Sequence, residues 1–206
     1  MFKQYGKRGS WNDFYINYSD EELIEKERGK LIHKLIKAPK SVKIIDAGAG
    51  FGKTIKVLNE NGYKNVEGID TSKELIERAK RMGVKVREGR IQRLPYDDNT
   101  FDIYINIGVL EHSGEKDQIL ALQEAKRVLK GGGRAYFCVP FMNKTRRIIL
   151  PLMRIFNWLR KTNGELFHQF IYDEQDLHRI FAIAGFEIEK IHPNNKVHVI
   201  VETKAV

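Results

Sequence analysis

Three glycines at alternate positions follow an acidic residue at the end of an apolar run. Asp46 ends the run that begins at Val42, and Gly48, Gly50 and Gly52 come next. Glycine has no Cβ, so backbone and ligand can approach closely there, and the N-terminus of a following helix adds N–H groups and a favourable dipole. The spacing therefore predicts a strand, a tight turn and a helix start that together bind a nucleotide-like ligand.

Two known nucleotide-binding patterns fit this loop only in part. A phosphate-binding P-loop, G-x-x-x-x-G-K-[ST], matches Gly52, Lys53 and Thr54, but Ala47 stands at its first glycine. A dinucleotide-binding fold requires G-x-G-x-x-G, and here the third glycine comes one residue early. A glycine-rich turn that serves packing alone is the remaining alternative.

The loop as a whole resembles motif I of class I S-adenosylmethionine-dependent methyltransferases, which is approximately (D/E)-x-G-x-G-x-G. The resemblance implies S-adenosylmethionine as cofactor, with its ammonium and carboxylate met by strand-end acceptors and backbone N–H groups. The loop residues that the resemblance assigns to cofactor binding are Asp46, Gly48, Ala49, Gly50 and Gly52.

A second carboxylate ends the next predicted strand, residues 65–70. Asp70 is followed by Thr71 and Ser72, either of which can cap the next helix. Because a capping residue is then available, Asp70 can instead accept hydrogen bonds from both ribose hydroxyls of a nucleoside. We predict that Asp70 and Thr71 contact the cofactor.

The segment 88–102 resembles the G-D-A-x-x-L-P-F-x-D-x-S-F-D run of small-molecule methyltransferases. In that family the Asp after the glycine meets the adenine amino group, but this chain has Arg90 there, which carries no hydrogen-bond acceptor. We expect the backbone of Ile91 or the side chain of Gln92 to make the adenine contact, with Arg90 at the same site.

A third motif begins at Asn106 and resembles the S/N-x-x-x-L-E-H tip of the fourth strand in this family. The resemblance places Asn106 and Ile107 at the methionine end of the cofactor. Glu111 and His112 match positions linked to metal in ubiquinone-pathway relatives, but Gly108 replaces the further acid. Two ligands do not make a metal site, so we predict none and expect Glu111 and His112 to cap the following helix.

Two more motifs follow in the family's order. Residues 124–133 resemble E-x-x-R-V-L-K-P-G-G, and residues 184–186 are the family's A-G-F. The resemblance covers about residues 40–192 and is closest to small-molecule, glycan and lipid-pathway methyltransferases.

Alternating strand-like and helical patterns predict the elements that position these residues. The predicted strands are 42–46, 65–70, 84–87, 101–107, 134–140, 186–192 and 197–202. The predicted helices are 20–37, 52–61, 114–130, one from a cap at 71 or 72 to Gly83, and one from Asp173 to Gly185. The last two strands are close enough for an antiparallel hairpin. We therefore predict a Rossmann-like α/β fold, with a seven-stranded mixed, mostly parallel sheet and helices on both faces.

The length favours a single domain over residues 1–206. We divide it into an N-terminal arm and lid helix, a cofactor-binding core, a substrate-side insert, and a C-terminal helix with strands. Their bounds are 1–39, 40–140, 141–170 and 171–206.

Composition narrows the class of protein further. The single Cys138 excludes an internal disulfide framework, and the polar residues 1–10 lack the apolar core of a signal peptide. No apolar stretch is long enough to span a membrane, so we expect a cytoplasmic protein. The formal net charge of +9 is compatible with nucleic acid, an anionic membrane surface, an anionic substrate or a lysine-rich solvated surface.

The insert 141–170 is expected to cover the acceptor pocket. Four apolar side chains repeat in it with helical spacing: Leu152, Ile155, Phe156 and Leu159. With its basic opposite face, the helix 146–161 either packs on the core as a lid, lies peripherally on the inner membrane face, or contacts nucleic acid. His168 is a candidate general base or a hydrogen-bonded lid residue.

These features predict a methyltransferase that aligns the sulfonium methyl group for in-line attack by an oxygen or nitrogen atom. We favour a small-molecule, glycolipid or lipid-like acceptor. An RNA methyltransferase is the first alternative, although the N/D-P-P-Y motif of base N-methylation is absent. A P-loop nucleotide-binding protein and a non-catalytic cofactor-binding scaffold are the others.

Overall fold

The structure is a computed structural model that describes residues 19–143, 147, 170–194 and 198–206. Several predictions concern residues outside these ranges. They are the N-terminal arm before residue 19, the basic helix 146–161 apart from Arg147, and the candidate base His168.

The strands and helices lie close to their predicted positions. The strands are β1 (Lys43–Ala47), β2 (Asn65–Asp70), β3 (Val86–Glu88), β4 (Phe101–Ile107), β5 (Leu129–Pro140), β6 (Phe186–Pro193) and β7 (His198–Ala205). The helices are α1 (Ser19–Leu35), α2 (Lys53–Glu60), α3 (Lys73–Arg81), α4 (Glu115–Val128) and α5 (Glu174–Ile183), with a 3-10 turn at Leu110–His112. None of the described helices is long and apolar enough to cross a membrane.

The strands form one seven-stranded sheet in the order β3-β2-β1-β4-β5-β7-β6. The first five strands in this order pair in parallel, whereas β7 is antiparallel to both β5 and β6. The chain reverses its direction across the sheet between β1 and β4. Ligands of open α/β sheets bind at this switch point, outside the carboxyl ends of the strands. The predicted fold, including the antiparallel hairpin, is confirmed.

Both faces of the sheet are covered by helices because successive strand residues point to opposite sides. On one face Ile44 packs with residues of α1, α2 and α3, such as Ile32 and Ile55. On the other face the next residue, Ile45, belongs to the cluster that holds α4 and α5. The near-continuous apolar strands are typical of a sheet buried on both faces.

The starts of β3 and β5 differ from the sequence prediction by more than one residue, and β7 extends to Ala205, beyond its predicted end. Val84 belongs to the turn after α3, since its N–H donates to the carbonyl of Ala79 at 3.0 Å, and β3 begins only at Val86. The glycine run 131–133, which falls between the predicted helix 114–130 and the predicted strand 134–140, lies inside β5, where the pairing register with β4 shifts. A Cβ on Gly133 would lie 2.9 Å from the carbonyl oxygen of Lys130 and 3.1 Å from that of Asp102. This glycine therefore permits a bulge in which three backbone segments approach closely.

A further glycine, Gly68, sets the spacing between β2 and the loop after β1. A Cβ at this position would lie 2.5 Å from Cβ of Ala49 and 2.8 Å from Cδ1 of Ile55. The backbone of β2 can therefore support the loop only if residue 68 has no side chain.

We expect Gly68→Ala to lower the free energy of unfolding by about 1–3 kcal/mol, because the added methyl group overpacks a dense site. Urea unfolding followed by circular dichroism measures this. Gly131→Ala is the matched control, since a Cβ there meets nothing within 4 Å. Equal stability of the two variants would contradict the packing role of Gly68.

Candidate cofactor-binding site

The loop between β1 and α2 is tied to the end of β2 by its own backbone. The N–H groups of Gly48 and Ala49 both donate to the carbonyl of Ile69, at 2.9 and 2.8 Å. The N–H of Gly50 donates to Oδ2 of Asp70 at 2.8 Å. These three N–H groups are therefore hydrogen-bonded within the protein, and cofactor binding by the loop residues stays a prediction. What the loop offers the cavity is its shape and its lack of side chains.

Left-handed backbone explains why glycine occurs at alternate loop positions. Gly48, Gly50 and Gly52 have φ values of 85°, 53° and 84°. A Cβ on Gly48 would also overlap the side chain of Val109, and one on Gly52 would lie 2.5 Å from Cγ1 of Val84. The loop is thus held between neighbouring segments with no room for larger residues.

A cavity of about 290 Å³ opens at the carboxyl ends of β1, β2 and β4. Seven predicted site residues line it: Gly48, Asp70, Thr71, Arg90, Ile91, Gln92 and Ile107. The other predicted cofactor-binding residues, which are Asp46, Ala49, Gly50, Gly52 and Asn106, are buried and are not among its lining residues. The cavity places the candidate ribose and adenine contacts on one wall and the tip of β4 on the other.

Asp70 accepts two hydrogen bonds from the protein itself. Besides Gly50, the N–H of Ser72 donates to Oδ1 of Asp70 at 2.9 Å. Ser72 is also the N-cap of α3, since its hydroxyl accepts from the N–H of Leu75 at 3.3 Å. Each carboxylate oxygen has a second lone pair, so Asp70, which lines the cavity, can still accept hydrogen bonds from two hydroxyl groups of a bound ribose.

Asn106 ties the tips of two strands together. Its amide nitrogen donates to the carbonyl of Ala47 at 2.8 Å, and its Oδ1 accepts from the N–H of Leu110 at 3.2 Å. The side chain is fully buried and is positioned to fix the end of β4 beside the end of β1. Ile107, the next residue, is the one that reaches the cavity wall.

Helix α4 is not capped by Glu111 or His112, so that prediction is wrong. The N-cap of this helix is Gly114, so no capping side chain accepts a hydrogen bond from the first N–H groups of the helix. The amide of Gln118 instead donates to the carbonyl of Ser113 at 2.7 Å. Glu111 and His112 belong to the separate 3-10 turn that follows β4.

Sequence reasoning missed several residues of the site. Five more residues line the cavity: Leu75, Gly108, Val109, His112 and Ser113. Three of these, Gly108, Val109 and His112, lie within the motif that begins at Asn106, and Ser113 directly follows it. Leu75 is signalled only by its place on the apolar face of α3.

Arg28 was also missed, because it comes from α1, far from the cavity in sequence. Its Nη1 lies 3.2 Å from the position that a Cβ on Gly108 would occupy, beside the cavity wall. Its Nη2 is 3.3 Å from Nε2 of His198, and its buried Nε has no hydrogen-bond partner. Within the described residues Arg28 forms no ion pair, so its charge is available to an anionic ligand group.

Metal ligands do not cluster near this cavity. In the described ranges, no three His, Cys, Asp or Glu side chains come together in a way that could hold a metal ion. The absence of a metal from the complete protein stays a prediction.

Comparisons with known proteins agree with this geometry. Residues 45–137 match the family described as "Methyltransferase domain". An uncharacterized protein of Methanocaldococcus jannaschii is 30% identical over 185 residues, which are 89% of this chain and 69% of that protein. The chain belongs to the S-adenosylmethionine-dependent methyltransferases.

Other relatives of this methyltransferase are named for different activities. A rice 2-methyl-6-phytyl-1,4-hydroquinone methyltransferase is 31% identical over 155 residues, 73% of this chain and 42% of that protein. A probable tRNA methyltransferase 9B of Mus musculus is 35% identical over 105 residues, 50% of this chain and 23% of that protein. The chain thus spans less than half the length of these two relatives.

Solved structures share the methyltransferase fold at low identity. A Pyrococcus horikoshii protein superposes with a TM-score of 0.73 at 17% identity, covering 96% of this chain and all of the other. An S-adenosylmethionine-dependent methyltransferase of Methanosarcina mazei gives a TM-score of 0.69 at 20% identity, covering 85% and 97%. Both comparisons bear on the fold alone.

We expect Asp70→Ala to weaken binding of S-adenosylhomocysteine by roughly tenfold to a hundredfold, the loss expected for hydrogen bonds to a charged group. Isothermal titration calorimetry measures the affinity. Asp97→Ala, at an exposed position away from the cavity, is the control. Unchanged affinity in the Asp70 variant, with its fold intact by circular dichroism, would refute the ribose contact.

Proposed function

We propose that this protein transfers the methyl group of S-adenosylmethionine to an oxygen or nitrogen atom of a small-molecule, glycolipid or lipid-like acceptor. The observation that carries the proposal is the cavity at the switch point of the sheet. On one wall Asp70 can accept hydrogen bonds from ribose hydroxyl groups, and behind the opposite wall lies the positive charge of Arg28.

The residues present fit this cofactor at both ends. Leu75 and Ile91 offer apolar surface for the adenine beside Asp70. At the opposite end Gly48 and Gly108 leave open backbone. There the unpartnered Nε of Arg28 suits the α-carboxylate of the methionine moiety, because a buried donor needs a partner.

When bound, the cofactor supplies a methyl group already activated by the sulfonium. The protein's task is then to hold and align the reactants, which can provide much of the rate enhancement. Asp70 would fix the nucleoside and Arg28 the amino-acid end. Ile107 would set the depth of the cofactor at the tip of β4, and Asn106 keeps that tip beside β1.

The preference for a small-molecule acceptor is supported by the rice relative, a hydroquinone methyltransferase that aligns over 73% of this chain. An RNA acceptor is the second candidate, supported by the formal net charge of +9 and by the tRNA methyltransferase relative. Peripheral membrane contact through residues 146–161 stays a prediction.

Calorimetry with S-adenosylmethionine and S-adenosylhomocysteine tests the cofactor, and we expect dissociation constants in the micromolar range. Binding of Mg-ATP, without binding of either cofactor form, would establish the P-loop alternative instead. Methyl transfer from labelled S-adenosylmethionine to hydroquinones, amines, lipid extracts and tRNA then tests the acceptor. Labelling of tRNA alone, with steeply salt-dependent binding, would overturn the small-molecule proposal.

Arg28→Met tests the carboxylate contact separately. We expect about tenfold to hundredfold weaker binding of S-adenosylhomocysteine but unchanged binding of methylthioadenosine, which has the same nucleoside and no amino-acid end. Lys34→Met removes another cation from α1 and serves as the control. Equal losses for both ligands would show that Arg28 acts through the fold rather than through the carboxylate.

A further inference from the structure

A buried carboxyl group lies directly behind the cofactor cavity. Glu111, in the 3-10 turn after β4, is 3% exposed, and its Oε2 is buried without a hydrogen-bond partner. Its Oε1 lies 3.8 Å from the position that a Cβ on Gly108 would occupy. Because Gly108 forms part of the cavity wall, only one glycine separates this carboxyl group from the methionine end of the site.

A second buried polar group without a partner accompanies Glu111. The hydroxyl of Tyr172 has no hydrogen-bond partner, and its side chain is fully buried. The N–H of Phe170 donates to the carbonyl of Glu111 at 2.7 Å, and the N–H of Tyr172 donates to that of Pro140 at 3.1 Å. These backbone bonds hold the end of the substrate-side insert against the turn after β4, and Tyr172 against the end of β5.

The carboxyl group of Glu111 accepts a hydrogen bond from its own backbone N–H, which leaves its buried Oε2 without a partner in the described residues. It does not cap α4, and it forms no ion pair with the nearby Arg28 in the described part of the chain. A buried carboxyl oxygen and a buried hydroxyl that both lack partners are costly, unless a ligand supplies the missing hydrogen bonds. Glu111 and Tyr172 lie beside Phe170 and Pro140, the points where the chain leaves and enters the predicted substrate-side insert.

The charges around Glu111 suit a group that gains and loses a proton. Burial raises the pKa of Glu111, while His112 in the same turn, a hydrogen bond from its own backbone N–H and Arg28 from α1 lower it. Two further groups interact with Glu111: Tyr172, and Cys138 on β5. Burial raises the pKa of the Tyr172 hydroxyl and raises the pKa of the Cys138 thiol to about 11, so both groups are neutral at physiological pH. A carboxyl group with a raised pKa is an effective base near neutral pH.

We infer that Glu111 is the proton acceptor for the methyl acceptor, with Tyr172 hydrogen-bonding the same substrate group. This inference rests on the proposed function. The acceptor O–H or N–H bond breaks, its proton passes to Oε2 of Glu111, and its electron pair forms the new bond to the methyl carbon. The carbon–sulfur bond breaks with its electrons on sulfur, which leaves neutral S-adenosylhomocysteine, and Glu111 returns the proton to solvent. The substrate class is therefore a hydroxyl, phenol or amine that is protonated when it binds.

Carbon-13 NMR of glutamate-labelled protein tests the placement of Glu111 without knowledge of the acceptor. The two cofactor forms differ by one methyl group and one positive charge at sulfur. A carboxyl group near that sulfur should titrate at least about one pH unit lower with S-adenosylmethionine than with S-adenosylhomocysteine. Glu111→Gln assigns the signal, and Glu111→Asp does so if the first variant does not fold. Titration at the same pH in both complexes would overturn the inference.

Turnover tests the role in chemistry, with any hydroxyl or amine acceptor that the wild-type protein methylates. Glu111→Gln should lower kcat by about a hundredfold or more and abolish the fall in rate at acidic pH, with cofactor affinity within about twofold of wild type. Glu187→Gln, on the exposed part of β6, is the matched control. Unchanged kcat in Glu111→Gln would refute the inference. If the wild-type protein itself did not bind S-adenosylmethionine, the proposed function would be refuted instead.

Discussion

The rest of the site depends on the hydrogen bonds between the end of β2 and the glycine loop. The carbonyl of Ile69 accepts two loop N–H groups, and the carboxylate of Asp70 accepts a third. Asp70 also accepts from Ser72 and so orients the start of α3. One strand end thereby fixes the loop, the following helix and the carboxylate that faces the cavity. The candidate ribose contact is rigid before any ligand arrives.

This arrangement is possible only where side chains are missing. Gly68 lets β2 lie against Ala49, and Gly48 lets the loop pass beneath Val109 at the tip of β4. Asn106 links the same tip to the end of β1. The cavity walls are thus joined by close backbone packing and by the buried side chain of Asn106, and binding needs little reorganisation of this part of the chain. Pre-organisation of this kind lowers the cost of binding.

Two ionisable groups lie behind the cavity wall, one proposed for the cofactor and one for the methyl acceptor. Arg28 comes from α1 and Glu111 from the turn after β4, and both meet at Gly108. Neither neutralises the other in an ion pair within the described residues. The buried atoms Nε of Arg28 and Oε2 of Glu111 lack partners at a cost in stability, and bound ligand groups would supply those partners. Because Gly108 has no side chain, the guanidinium of Arg28, a hydrogen-bond donor, and the carboxyl group of Glu111, an acceptor, both lie close to the reacting end of the cavity.

The sequence by itself determined the fold, the order of the motifs and most of the cavity lining, because these depend on local patterns. Strand periodicity, helix caps and glycine spacing are read within a few residues, and Asp70 follows from its place at the end of a predicted strand. Ile91 and Ile107 follow from the resemblance of their segments to methyltransferase motifs. Only the tertiary structure decided where the loop N–H groups point, that the Gly133 bulge lies inside β5, and that Arg28 and Glu111 meet behind one wall. Those features depend on contacts between segments far apart in the chain, and no local pattern encodes the distance between such segments.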